Sequence, residues 1–134
     1  MDFVEGHENI VQYPIKDLID KGVNICFGSD WPISTITPID NMEVAVTRKP
    51  LGAGESVEGD NRSQCINIKQ AIRGYTLGAA YALGIDKEVG SIEVGKKADI
   101  IVLNKNILEC PSNEINQAKV TLTIVDGKTL FKAS

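Results

Sequence analysis

A chain of 134 residues, 43% of them hydrophobic and 24% charged, has the size and composition of a globular domain. It is too short for a complete eight-stranded β/α barrel, which takes about 200 residues or more. The net charge of −4 comes from interspersed acids and bases, with no basic block and no apolar run near the roughly 20 residues that span a bilayer, so neither nucleic acid nor a membrane is expected as a partner.

The N-terminal MDFVEGHENI has neither the positive start nor the apolar core of a secretory signal, and a cytoplasmic location is the expectation. Tyr13-Pro14 followed by IKDLIDKG predicts a short helix: proline suits the first turn, Ile15, Leu18 and Ile19 share a face, and Gly22 stands where a helix is terminated. Val23 to Phe27 is apolar except at Asn24, too short for a helix and bounded by Gly22 and Gly28, which predicts a buried parallel strand. Helix, glycine turn and buried strand together define an α/β unit.

Proline-punctuated sequence follows Gly28-Ser29-Asp30-Trp31-Pro32 and ends the strand in a loop. Asp40 or Asn41 is a candidate cap for a helix over MEVAVTR, which stops before Pro50, and residues 52–64 have the Gly, Ser, Asn and charge content of a surface loop. The spacing then predicts one long helix up to Gly84, opened by a capping box at Asn67 and Gln70 and carrying Ile68, Ala71, Ile72, Tyr75, Ala79 and Leu83 on one face. Its Gly78, Ala79, Ala80 and Ala82 let another element approach closely.

From Glu88 the texture becomes β: Ser91 to Val94 alternates, Gly95-Lys96-Lys97 turns, and Ala98 to Leu103 reads as a strand. VTLTIV and TLFKA flank Asp126-Gly127, a hairpin signal because such turns need positive φ. Three widely spaced cysteines, Cys26, Cys65 and Cys110, without a C-x-x-C pair, read as reduced thiols, with Cys26 and Cys65 half-buried.

Asp30 is the most informative residue for chemistry. A carboxylate directly after a parallel strand sits where the catalytic groups of α/β folds collect, and there it can ligate a divalent metal or take a proton from a metal-bound water. The alternative is a loop cap that accepts backbone N–H groups. Trp31 and Pro32 either shape the rim of a pocket or pack the loop, and Arg48 either reaches a substrate carboxylate or is simply solvated. Gly95-Lys96 lacks the earlier glycine and the following helix of a phosphate loop, and Lys96-Lys97 reads as a turn with solvated charge.

YPIKDLIDKGVNICFGSDWP resembles the last helix–strand unit of the amidohydrolase superfamily barrel, in the branch of N-substituted formamide deformylase. PIDNMEVAVTR, IKQAIRGYTLGAAYALGIDKEVGSIEVGKKADIIVLNKN and VTLTIVDGKTLF resemble the succeeding helix, the closing helix and strand pair, and the last hairpin of the small β-sandwich in that branch. The resemblance covers residues 13–134, and the pairing of G-S-D-W-P with G-S-I-E-V-G-K-K-A-D is far more specific than either motif alone.

The resemblance implies an α/β fold made of the last helix–strand–helix units of a TIM-like β/α barrel in residues 1–84, with part of a β-sandwich in residues 85–134. It also implies a hydrolase that cleaves a C–N bond with water activated by a divalent metal, zinc by expectation. Asp30 then contacts the metal and acts as general base, Trp31 lies against the substrate, and Asp99 is structural. The histidines that hold metal in this family have no counterpart here, because His7 is the only histidine. A catalytic zinc takes three protein ligands plus water, so the chain alone is expected to be inactive. Three situations fit: a C-terminal fragment whose exposed strand edges make it self-associate, a non-catalytic oligomerising module, or a subunit completed by a second chain that supplies the histidines.

Overall fold

The computed structural model describes residues 11–54 and 56–134. Helix α1 (Ile15–Asp20) begins after Pro14 and closes on Lys21, with Gly22 at φ 78° as the left-handed residue that ends it. Beyond it the expected strand does not form. Residues 23–30 carry no strand pairing, and Val23 is 47% exposed. The physical reason is the absence of a neighbouring strand among the described residues: the Phe27 N–H is taken instead by the Gly74 carbonyl, 3.1 Å away on a helix. Alternation survives all the same. Ile25, Phe27 and Ser29 are half-buried against helices, whereas Asn24, Cys26, Gly28 and Asp30 are exposed. Cys26 is thus not half-buried as expected, since its position in the alternation places it on the open face.

Helix α2 (Pro38–Thr47) starts earlier than the Asp40 or Asn41 cap anticipated, because Pro38 occupies the first helical position, where no N–H is needed. It buries Ile39, Met42 and Glu43 and ends at Arg48 in the left-handed region. The Gly- and Ser-rich stretch after it closes with a 3-10 turn, Arg62–Gln64. There the buried Gln64 side chain accepts the Asp17 N–H and ties the stretch to α1.

The expected long helix is two. Helix α3 (Ile68–Tyr75) has the anticipated capping box, with Asn67 and Gln70 exchanging hydrogen bonds of 2.9 Å. It breaks at Thr76 (φ −118°, ψ −94°), and helix α4 (Leu77–Ala82) follows. The Thr76 hydroxyl donates to the Ile72 carbonyl at 2.8 Å, a back-bond that competes with the helical ladder. Either side of the break, Gly74 and Gly78 press directly on Phe27 and on the Ile25 carbonyl.

Ser91 to Val94 forms no strand, and Ile92 and Val94 are exposed. Lys96, with its side chain only 11% exposed, organises this segment instead of being the solvated turn charge expected. Its ammonium donates to the Asp86 carbonyl and the Ser91 hydroxyl, both at 2.6 Å, reaches the Val89 carbonyl at 3.5 Å, and pairs with Glu93. The Ser91 hydroxyl, followed by Lys96, holds the Glu93 carboxyl below its usual pKa. Lys96→Met keeps the aliphatic stem and removes every donor, and should cost about 2 kcal/mol of stability, the scale of hydrogen bonds to a charged group. A lowered urea midpoint at unchanged slope is the expected reading.

Strands β1 (Ile100–Leu103), β2 (Val120–Val125) and β3 (Lys128–Lys132) form an antiparallel sheet in the order β1-β2-β3. The β2–β3 hairpin turns at Asp126 and Gly127, with φ of 50° and 75°, as its sequence predicts. Asp99 accepts the Asp126 N–H at 2.7 Å, a structural task. The core lies away from the sheet, where Ile39, Met42, Ile66 and Ala71 meet Ile107, Ile115 and Ala118. The buried Glu43 carboxylate seals it by accepting the Asn116 N–H at 2.9 Å. No helix among the described residues is long and apolar enough to cross a membrane.

Candidate functional site

Asp30 ends the alternating run in the left-handed region at φ 53°, a conformation that Asp and Asn tolerate better than other side-chain-bearing residues. Its backbone, not its carboxylate, makes the turn. The Asp30 carbonyl accepts the Ile33 N–H at 2.8 Å, and the Ser29 hydroxyl oxygen accepts the Trp31 N–H at 3.4 Å. The carboxylate is exposed and has no hydrogen-bond partner among the described residues. It stands at the edge of a cavity of ≈ 400 Å³ bounded by Tyr13, Phe27, Ser34, Asn41 and Tyr75.

Trp31 is 62% exposed and is joined to Pro32 by a cis peptide bond. Arg48, at the same cavity, is half-buried and already occupied: Nε donates to the Asp60 carbonyl, Nη2 donates to the Gln12 carbonyl, and the guanidinium lies 5.9 Å from the centre of the Tyr13 ring. It braces the C-terminal end of α2 against the chain before α1. In the sequence Asn41 reads as a candidate helix cap and Tyr75 as a helix-face residue, and nothing local announces a role for either beside Asp30.

Asp30 is the one carboxylate among the described residues that bound this cavity. Among the described residues no three His, Cys, Asp or Glu side chains come close enough to hold an ion, while a catalytic zinc takes three. His7 lies outside the described residues. The donor set therefore does not fit a complete metal centre. A second cavity, ≈ 450 Å³ between α3, α4 and β1, is lined by Ile72, Leu77, Ile92 and Ile100 together with Lys69, Arg73 and Asp99, and the Asp99 carboxylate is already engaged with the Asp126 N–H.

The site is thus an exposed carboxylate at the end of an alternating run whose other face is covered by helices. The chain belongs to the amidohydrolase family, whose family model matches residues 2–131. It is 35% identical to the N-substituted formamide deformylase of Arthrobacter pascens over 123 residues, 92% of this chain and 22% of that enzyme.

Solved structures agree. An amidohydrolase from Thermotoga maritima superposes with a TM-score of 0.56 at 26% identity, covering 87% of this chain and 25% of that one. A variant of atrazine chlorohydrolase TrzN from Arthrobacter aurescens, complexed with zinc and atraton, shares the fold with a TM-score of 0.61 at 20% identity over 89% and 27% of the two chains. The chain spans 20–28% of the length of the curated relatives it matches.

Proposed function

We propose that this chain is the closing segment of a metal-dependent amidohydrolase that cleaves the C–N bond of an amide or formamide, and that Asp30 receives the proton of the attacking water. The observation that carries the reading is the Asp30 carboxylate, exposed on the same face as Asn24 and Cys26 and unengaged by the fold. In this reading residues 23–27 pair as the last barrel strand in the full-length protein, α1 and α3 are flanking helices, and residues 85–134 are part of the small β-sandwich. Asp30 then points to the barrel interior from its C-terminal mouth, and Trp31 forms part of the substrate rim.

Asp30 is the one ligand that the described residues offer to a metal, for which zinc is the candidate, so the remaining ligands come from other parts of the protein or from a second chain. Residues 11–134 alone are inactive in this reading, and their unpaired strand edges lead them to associate with one another. The test is release of amine and carboxylate from a panel of N-substituted formamides and amides by the full-length protein. Turnover of at least one of them is expected, and failure on the whole panel with metal supplied would reject the reading.

A further inference from the structure

Gly28 and Thr35 bracket the turn that carries Asp30, and both ends are held from outside by side chains that line the same cavity. At the first end, the Tyr75 hydroxyl at the close of α3 donates to the Gly28 carbonyl at 3.4 Å, and its ring packs on Phe27 with centroids 5.5 Å apart. At the second, Asn41 on α2 donates through Nδ2 to the Thr35 carbonyl at 3.4 Å and accepts the Ser34 hydroxyl at 3.3 Å. Burial pushes the Tyr75 phenol upward, and its hydrogen bond with Asn41 works the other way without reversing the direction. The phenol therefore stays protonated, and stays a donor, at neutral pH.

Between these two anchors Asp30 holds its left-handed conformation, which a non-glycine residue keeps where its surroundings impose it. The turn's own bonds are few: Ile33 N–H to the Asp30 carbonyl, and Trp31 N–H to the Ser29 hydroxyl. We infer that Tyr75 and Asn41 form a positioning pair, which clamps the Asp30 turn at Gly28 and at Ser34–Thr35 so that α2 and α3 set the direction of the carboxylate. Neither side chain touches the reacting atoms. The inference rests on the reading of Asp30 as proton acceptor, since only that reading makes its direction matter to the reaction.

Tyr75→Phe keeps the ring and removes one hydroxyl, while Asn41→Leu keeps the volume and removes both polar groups. In the intact chain, amide hydrogen exchange at Ile33 should rise about tenfold in each variant, the factor that one lost hydrogen bond supplies. Trp31, the only tryptophan, sits next to Asp30 and should change its emission in both. Exchange at Ala71, whose N–H is bonded to the Asn67 carbonyl within α3, should not move. Unchanged Ile33 exchange and Trp31 emission would overturn the pair, as would a matching rise at Ala71, which would make the effect one of general stability. Asp30→Asn in the hydrolysis assay tests the underlying reading separately: retained turnover would remove the proton-acceptor role while leaving the exchange result to stand or fall alone.

Discussion

Asp30→Asn is expected to lower the rate of C–N hydrolysis by the full-length protein by about 10²–10⁴-fold, the contribution of a positioned general base. Asparagine is the informative replacement. It matches aspartate in shape and tolerates the left-handed φ of 53° at this position, but it cannot accept the proton. The fold should not notice the change, because the carboxylate has no partner among the described residues and the turn is closed by the Asp30 carbonyl. Alanine would add backbone strain to the loss of the acid and blur the result. Turnover measured beside a urea unfolding curve separates the two effects. A preserved rate, or a loss that merely tracks instability, would count against Asp30 as proton acceptor.

Gly78→Ala is expected to destabilise the chain by about 3 kcal/mol, the upper part of the range for overpacking. Helix propensity alone argues the other way, since alanine in a helix gains about 1 kcal/mol over glycine. The environment of Gly78 decides the sign. An added methyl would stand 2.2 Å from the Ile25 carbonyl oxygen, and that obstacle is backbone, so relief requires α4 and the 23–29 run to separate. Gly54 is a fair control, for no atom lies within 4 Å of a methyl there, and Gly54→Ala should change stability by less than about 0.5 kcal/mol. A neutral Gly78→Ala variant would mean that the close approach of helix to extended run does not persist in solution.

What the sequence disclosed divides by range. Gly22 ending α1, the Asn67–Gln70 capping box and the Asp126-Gly127 turn were all legible, because each depends on residues no more than a few positions apart. Apolar periodicity could not reveal the break at Thr76, since a hydroxyl bonding back to the Ile72 carbonyl leaves the spacing of Ile68, Ile72 and Tyr75 untouched. Nor could it reveal that residues 23–29 lack strand partners among the described residues, which is decided by what lies alongside them. At the site, Asp30 stood out through its position after an apolar run. Tyr75 and Asn41 did not, because their place at one cavity beside Asp30 depends on how α2 and α3 pack. Lys96 reads as a surface charge in the sequence because its acceptors at Asp86 and Val89 are backbone carbonyls, which no side-chain pattern records.

The long-range ties of the fold, one of which holds the Asp30 turn, also carry a kinetic consequence. Tyr75 and Gly28 are 47 positions apart, as are Asp17 and Gln64, and the Glu43 carboxylate meets an N–H 73 positions further along. Each tie closes a large loop, and loop-closure entropy must be met before the contact returns anything. α1 and the β2–β3 hairpin, built from near neighbours, can take shape early. The carboxylate at the heart of the proposed chemistry acquires its direction only after the chain has brought its distant parts together.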